Sequence, residues 1–162
     1  MSSIEWTDQT WNPFVGCSKI SPGCDNCYAI RMATRFKFQH YQSLVSSMDW
    51  TGKLNRAPQH IVEKPLRTAK PTVFFVNSMS DIFHENAEDD WIVEAFDIMN
   101  RSPQHVFQVL TKRPARAVKK TRELGLVWGD HIWAGVSIEE DKYAVPRSRE
   151  LAKLPAKVRF VS

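Results

Sequence analysis

The chain has 162 residues, a length that one domain with its own core accommodates without division. Hydrophobic residues make up 43% and charged residues 25%, ordinary values for a globular chain that exclude a disordered or fibrous one. The formal net charge of +4 permits a nucleic-acid or phosphate partner without requiring one, and no apolar run approaches the roughly 20 residues of a membrane-spanning helix.

The opening "MSSIEWTDQ" lacks a basic region followed by an apolar one, so no secretory signal is expected and the expected compartment is the cytosol. The first element is "TWNPFVG", residues 10–16, read as a short strand. Trp6 and Trp11 flank it, and their indoles either pack in the core or stack on a base or adenine.

Cys17, Cys24 and Cys27 come next, three thiols inside eleven residues and the only cysteines of the chain. A reducing compartment disfavours disulfides and an odd count cannot pair fully, so metal or redox chemistry gains weight. Thiolates are soft ligands, and Cys-x-x-Cys presents two sulfurs to one centre from a tight turn, which Pro22 and Gly23 supply. Three sulfurs leave a four-coordinate zinc one ligand short, so a zinc site must recruit His40, His60 or His84. A four-iron–four-sulfur (4Fe-4S) cluster held by three thiolates instead keeps one iron open to a small molecule. Packed thiols without a metal are the third reading.

The stretch "CYAIRMATRFKFQHYQSLV" is expected to be the first helix, with Tyr28, Met32, Phe36 and either Phe38 or Gln39 on its buried side, and 49–71, with Gly52, Pro58, Pro65 and Pro71, an irregular connector. From Thr72 one pattern repeats: a β-branched or aromatic run, a polar loop, an amphipathic helix. The runs are "TVFFV" (72–76), "HVFQVL" (105–110), "HIWAGV" (131–136) and "KVRFVS" (157–162). Asn86 is the expected cap of a helix carrying Trp91, Ala95 and Ile98 on one face, ending near Arg101. Pro114 starts the next helix, which turns Ala117, Val118, Thr121 and Leu124 inward and stops at Gly125. A weaker helical stretch runs toward Leu154.

Strand–helix–strand spacing of this kind reads as βαβ units with parallel strands, an α/β fold. Five strands and four helices are expected in a single domain, with residues 10–28 as strand plus cysteine loop. An uncovered last strand is an awkward end for a complete domain, so the chain is expected to be an incomplete N-terminal portion, truncated in strand five.

The cysteine loop after strand one, followed by repeated βα units, resembles the radical S-adenosylmethionine superfamily, whose partial TIM-barrel-like (βα)6 barrel holds a 4Fe-4S cluster by three cysteines. The resemblance implies that the strands and helices here form a partial parallel (βα) barrel of that type. More closely, "EWTDQTWNPFVGCSKISPGCDNCYA", "FVNSMSDIFH", "VLTKRP" and "GVSIE" resemble the three-cysteine-motif family of phages and bacteria, a branch with radical S-adenosylmethionine features. The spacing here is C-x6-C-x2-C rather than the superfamily's common C-x3-C-x2-C, and Asn26 stands where an aromatic residue usually precedes the last cysteine.

Residues just after each strand would share the barrel mouth with the cluster. The resemblance implies that Ser78, Ser80 and Asp81 hold the amino group of S-adenosylmethionine and that Ser137 and Glu139 meet its ribose; each is equally a turn or first-turn residue. Lys112 and Arg113 offer charge to a carboxylate or phosphate. The basic run beyond them, Arg116, Lys119, Lys120 and Arg122, reads as a solvated helix face. His84 is either a proton donor or phosphate contact, or a satisfied surface imidazole.

The resemblance thus implies an enzyme that takes an electron from a donor and cleaves S-adenosylmethionine to a deoxyadenosyl radical. The basic balance, taken with the resemblance to phage proteins, points to a nucleic acid or nucleotide as substrate. The alternatives are a non-catalytic metal-binding phage accessory module, with zinc or a cluster, and an inactive truncated fragment.

Overall fold

The computed structural model describes residues 6–162; Glu5 of the signature quoted above, and most of the opening stretch, lie outside these residues. The first strand is split in two. β1 is Gln9–Trp11 and β2 is Phe14–Val15, because Asn12 and Pro13 turn the chain out of the first ladder, Pro13 having no N–H to donate.

α1 spans only Tyr28–Ala33, far shorter than the helix expected over 27–45. Thr34 ends it, its hydroxyl donating to the carbonyl of Arg31 at 2.8 Å in competition with the helical ladder. Of the expected buried side only Phe36 packs inward, half-buried: Ala29, Ile30 and Ala33 face the core, while Tyr28, Met32, Phe38 and Gln39 are exposed. Small side chains let the helix lie close to Val15, Leu44 and Met79, where larger ones would hold it away. After α1 come a 3-10 turn at Gln39–Tyr41 and a hairpin of β3, Val45–Ser46, with β4, Asp49–Trp50.

The connector over 49–71 is less irregular than expected. β5, Asn55–Arg56, pairs antiparallel with β2, and two short helices follow, α2 (Gln59–Val62) and α3 (Lys64–Arg67). The indole N–H of Trp11 donates to the carbonyls of Ile61 and Val62, both at 3.1 Å, tying this region under the main sheet.

From residue 73 the repeated pattern appears as read: β6 (Val73–Val76), α4 (Asp89–Asn100), β7 (Val106–Thr111), α5 (Pro114–Glu123), β8 (Ile132–Val136), α6 (Asp141–Leu151) and β9 (Arg159–Val161). Glu88 rather than Asn86 stands at the N-cap position of α4, without a side-chain cap bond, and the Asn86 amide is engaged elsewhere, donating to the carbonyl of Gly52 at 2.9 Å. Gly125, at φ +60°, ends α5 as expected.

β1, β6, β7, β8 and β9 form one sheet in that order, every pair parallel. Because neighbours in space are neighbours in sequence, right-handed crossovers put the helices on one face. There Phe74, Val76, Phe107, Val109, Ile132, Ala134 and Val136 pack with the apolar sides of α4 and α5 into the main core. The registers Phe75↔Gln108↔Trp133 and Leu110↔Gly135↔Phe160 place the alternate residues on the other face. Trp6 lies against that face, its ring 4.8 Å from Phe75 and 6.4 Å from Phe160.

The fold is therefore α/β with a five-stranded parallel sheet, and the sheet is open rather than a closed barrel. Among the described residues β1 and β9 each pair along one edge only. No described helix is long and apolar enough to cross a membrane.

Candidate functional site

Parallel strands deliver their following loops to one end of the sheet, and the loops after β1, β6, β7 and β8 meet there. Gly16 sets the entry to the cysteine loop. Its φ of +104° lies in the region that glycine alone tolerates cheaply, and a Cβ there would run into the carbonyl oxygen of Lys53. Its N–H donates to the Met79 carbonyl at 3.0 Å, anchoring the loop to the segment after β6. A 3-10 turn, Pro22–Cys24, then brings Cys24 and Cys27 round, with the Cys27 N–H on the Cys24 carbonyl at 3.3 Å.

All three thiols are free and half-buried, and all three line one cavity of about 160 Å³. Ser78, Ser80, Asp81, Lys112, Arg113 and Ser137 line the same cavity. The structure thus gathers the cysteines with six of the polar residues singled out in the sequence. Glu139 and His84 stand behind the wall.

Asp81 is buried and fully engaged. It accepts from the Thr111 hydroxyl at 2.8 Å, from the N–H groups of Phe83 and Lys112, and from Arg113 Nη1 at 3.2 Å. Arg113 is buried too, and its other nitrogens reach Glu85 (2.8 Å) and Ser18 (3.0 Å to the hydroxyl). Burial alone would lower the Arg113 pKa, yet Asp81, Cys17 and Glu85 raise it, so the guanidinium stays charged. Arg113 therefore acts as a strut joining the loop after β7 to the cysteine loop. Burial, with the Asp81 carboxylate second, pushes the Cys17 thiol up to about 12, and the Arg113 charge partly offsets this. A soft metal centre removes such a proton on coordination, because its own charge dominates the local field.

Glu139 holds the other side of the loop. Its carboxylate accepts from the Ser21 hydroxyl and from Arg147 Nη1 at 2.6 Å, so both oxygens have partners. Burial would raise its pKa, but Ser21 and Arg147 hold the carboxyl below its ordinary value. The same Arg147 nitrogen reaches the Ser137 carbonyl at 2.6 Å, and Gly23 packs so close to Glu139 that a Cβ would collide with it. To meet a bound cofactor, Glu139 would first have to leave Ser21.

His84 is satisfied but not on the surface, being 1% exposed. Asn86 N–H donates to Nδ1 at 3.0 Å, which leaves Nε2 as the protonated nitrogen facing Ser18 Oγ at 2.8 Å. Burial and the Arg113 charge lower its pKa. His40 belongs to a different part of the surface, lining other cavities. Among the described residues no three His, Cys, Asp or Glu side chains converge as the ligands of a single ion would. Neither His40 nor His84 lines the thiol cavity.

Asn77 carries the feature that residue types alone did not reveal. It follows β6 at φ +58°, a conformation Asn adopts more readily than most residues, and it is 2% exposed on the cavity wall. Its amide nitrogen donates to Phe14 O and Ser80 Oγ, which fixes the orientation of the group. Its Oδ1 is a buried acceptor without a partner among the described residues. The Ser80 hydroxyl meanwhile donates to Phe14 O, and the Ser78 hydroxyl to Asn12 Oδ1 at 3.2 Å. Lys112 is half-exposed at the rim and forms no ion pair among the described residues.

The donor set fits a three-thiolate cluster. All three cysteines line one void together with Asn77 and with Lys112, unpaired among the described residues, and no carboxylate on the wall lacks hydrogen-bond donors of its own.

A family model described as "Protein of unknown function (DUF5131)" matches residues 1–162, and the chain belongs to that family. No curated protein and no solved structure matches.

Proposed function

We propose that this member of the family is an iron–sulfur protein of radical S-adenosylmethionine type. The observation that carries the reading is the meeting of all three cysteines on one cavity that Asn77 also lines, a residue whose Oδ1 is a buried acceptor without a partner among the described residues. A 4Fe-4S cluster held by the three cysteines would supply one-electron reductive cleavage of the carbon–sulfur bond of S-adenosylmethionine, the electron coming from an external donor and the products being methionine and a deoxyadenosyl radical.

The chain's own residues do the rest. Cys17, Cys24 and Cys27 hold the cluster, and the short loop between Gly16 and α1 sets their spread. Asn77 Oδ1, with Ser78 and Ser80 beside it, accepts hydrogen bonds from an ammonium group. Lys112 attracts a carboxylate at the rim, and Ser137 meets a ribose hydroxyl on the β8 side. Asp81, Arg113 and Glu139 position the loops rather than the ligand, since their polar atoms already have protein partners. The wall of Phe75, Met79 and Leu110 excludes water from the reacting bond.

Anaerobic purification with iron and sulfide analysis tests this directly. The expected result is about four irons per chain and release of methionine from S-adenosylmethionine on reduction. Cys24→Ala should lose the iron. Stoichiometric zinc without iron, or iron retained by Cys24→Ala, would overturn the assignment.

A further inference from the structure

We infer that the surface formed by α1 and the aromatic segment after it, residues 28–41, binds a single-stranded polynucleotide and leads it to the thiol cavity. The binding is independent of the cluster; that the strand is the substrate rests on the function proposed above.

Charge distribution comes first. No carboxylate occurs between Asp25 and Asp49, while Arg31, Arg35 and Lys37 fall within that interval. The two flanking carboxylates both face Lys19, at 3.7 and 3.4 Å. Arg31, Arg35 and Lys37 are exposed and form no ion pair among the described residues. The basic run on α5 behaves differently. Lys119 and Lys120 pair with Glu123, Lys120 also pairs with Asp89 at 2.7 Å, and Arg116 donates to the carbonyls of His84 and Glu85. Of the two basic stretches, the one over 31–37 keeps its charge for an outside partner.

Aromatic rings stand among these cations. Phe36, Phe38, His40 and Tyr41 form a cluster in which the Phe38 and His40 rings stack at 5.9 Å and 20°. Phe38 is 62% exposed, an unusual position for a phenylalanine unless something covers it. The cluster walls a cavity of about 290 Å³ whose lining includes Asn12 and Lys64. A flat ring against aromatic faces, with cations for the neighbouring phosphates, is the arrangement that holds unstacked bases. Bases of a duplex are stacked away inside and do not offer that face.

The route inward is short. Asn12, on the wall of the aromatic cavity, hydrogen-bonds Ser78 on the wall of the thiol cavity at 3.2 Å. The Tyr28 hydroxyl donates to the Ser78 carbonyl at 2.8 Å from the start of α1. The aromatic cavity and the thiol cavity therefore adjoin across the Asn12–Ser78 pair.

The test is fluorescence anisotropy of the metal-free 162-residue chain with oligo(dT) and oligo(U) of about 12 nucleotides, within the range one strand-binding surface covers. The expected result is saturable binding to one or both, which also tells DNA from RNA, and weaker binding to a duplex of equal length. With three cations engaged, the slope of log K against log salt should be about −2, falling toward zero in Arg31→Gln/Arg35→Gln/Lys37→Gln. Phe38→Ala should weaken binding about tenfold and Phe38→Trp should retain it. All these sites are on the surface, and an unchanged thermal melt confirms folding. No saturable binding, a preference for duplex, binding indifferent to both variants, or binding only to phosphatidylserine–phosphatidylcholine vesicles would overturn the inference. A chain that assembles a cluster yet ignores oligonucleotides would refute this inference alone.

Discussion

Replacing Arg113 by methionine probes how the site is built. The guanidinium and the Asp81 carboxylate are both buried, with side-chain exposures of 3% and 7% and a separation of 3.2 Å. Removing one partner of such a pair leaves a buried charge without its counter-ion, which costs about 3–5 kcal/mol. For a chain of this length, each kcal/mol moves the melting temperature by roughly 2–4 °C, so Arg113→Met should melt about 6–20 °C lower. Circular dichroism of the metal-free protein reads this. Arg113→Met/Asp81→Asn removes both charges and should recover part of the loss, with a coupling of about 1–3 kcal/mol in the double-mutant cycle. A drop below about 3 °C, or strictly additive single effects, would refute the strut assigned to Arg113.

Three further outcomes are expected. Gly135→Ala places a Cβ in the Phe160 ring and should cost about 1–3 kcal/mol, a penalty that Phe160→Leu relieves; urea unfolding of the two variants measures it, and an unaffected midpoint would contradict the packing of β9 on β8. Ser21→Ala removes the loop's hydrogen bond to the Glu139 carboxylate, a charge-assisted contact worth about 1.5–3 kcal/mol, and hydrogen exchange over residues 18–27 should speed up tenfold or more while β7 stays protected. His84 is held neutral, its folded pKa lying below the ordinary 6.5, so its contribution is present above that value and lost as pH falls through the folded pKa. Wild type should therefore lose more stability than His84→Asn between pH 7.5 and 5.5 in urea titrations; equal losses would show that the ring charges freely.

The βα repeat after Thr72 was legible because each signal is local. "TVFFV", "HVFQVL" and "HIWAGV" are strands by composition, Pro114 opens a helix and Gly125 closes it, and the structure agrees within about two residues. The region 27–45 was misread for the same reason. Apolar residues at 28, 32 and 36 have helical spacing, but nothing in that spacing shows that Thr34 ends the helix or that Ala29 and Ala33 are the residues that fit against Leu44 and Met79. Nothing in the sequence distinguishes Asn77, because what sets it apart is an oxygen left without a donor, a property of the surroundings and not of asparagine.

The order of elements after Thr72, the parallel α/β class and three thiols in a loop at the carboxyl end of the first strand are all written in the linear chain. Hydrophobic period, helix breakers and cysteine spacing act over a few residues. Which polar groups remain free was decided only in three dimensions. Glu139 meets Ser21 across 118 positions of sequence and Arg113 meets Ser18 across 95, and these partners turn side chains of the right chemical type into framework. Folding likewise separates Lys119 and Lys120 of α5, paired with Asp89 and Glu123, from Arg31, Arg35 and Lys37, which face no carboxylate among the described residues. Electrostatic pairing depends on distance and burial, and only the folded chain sets those.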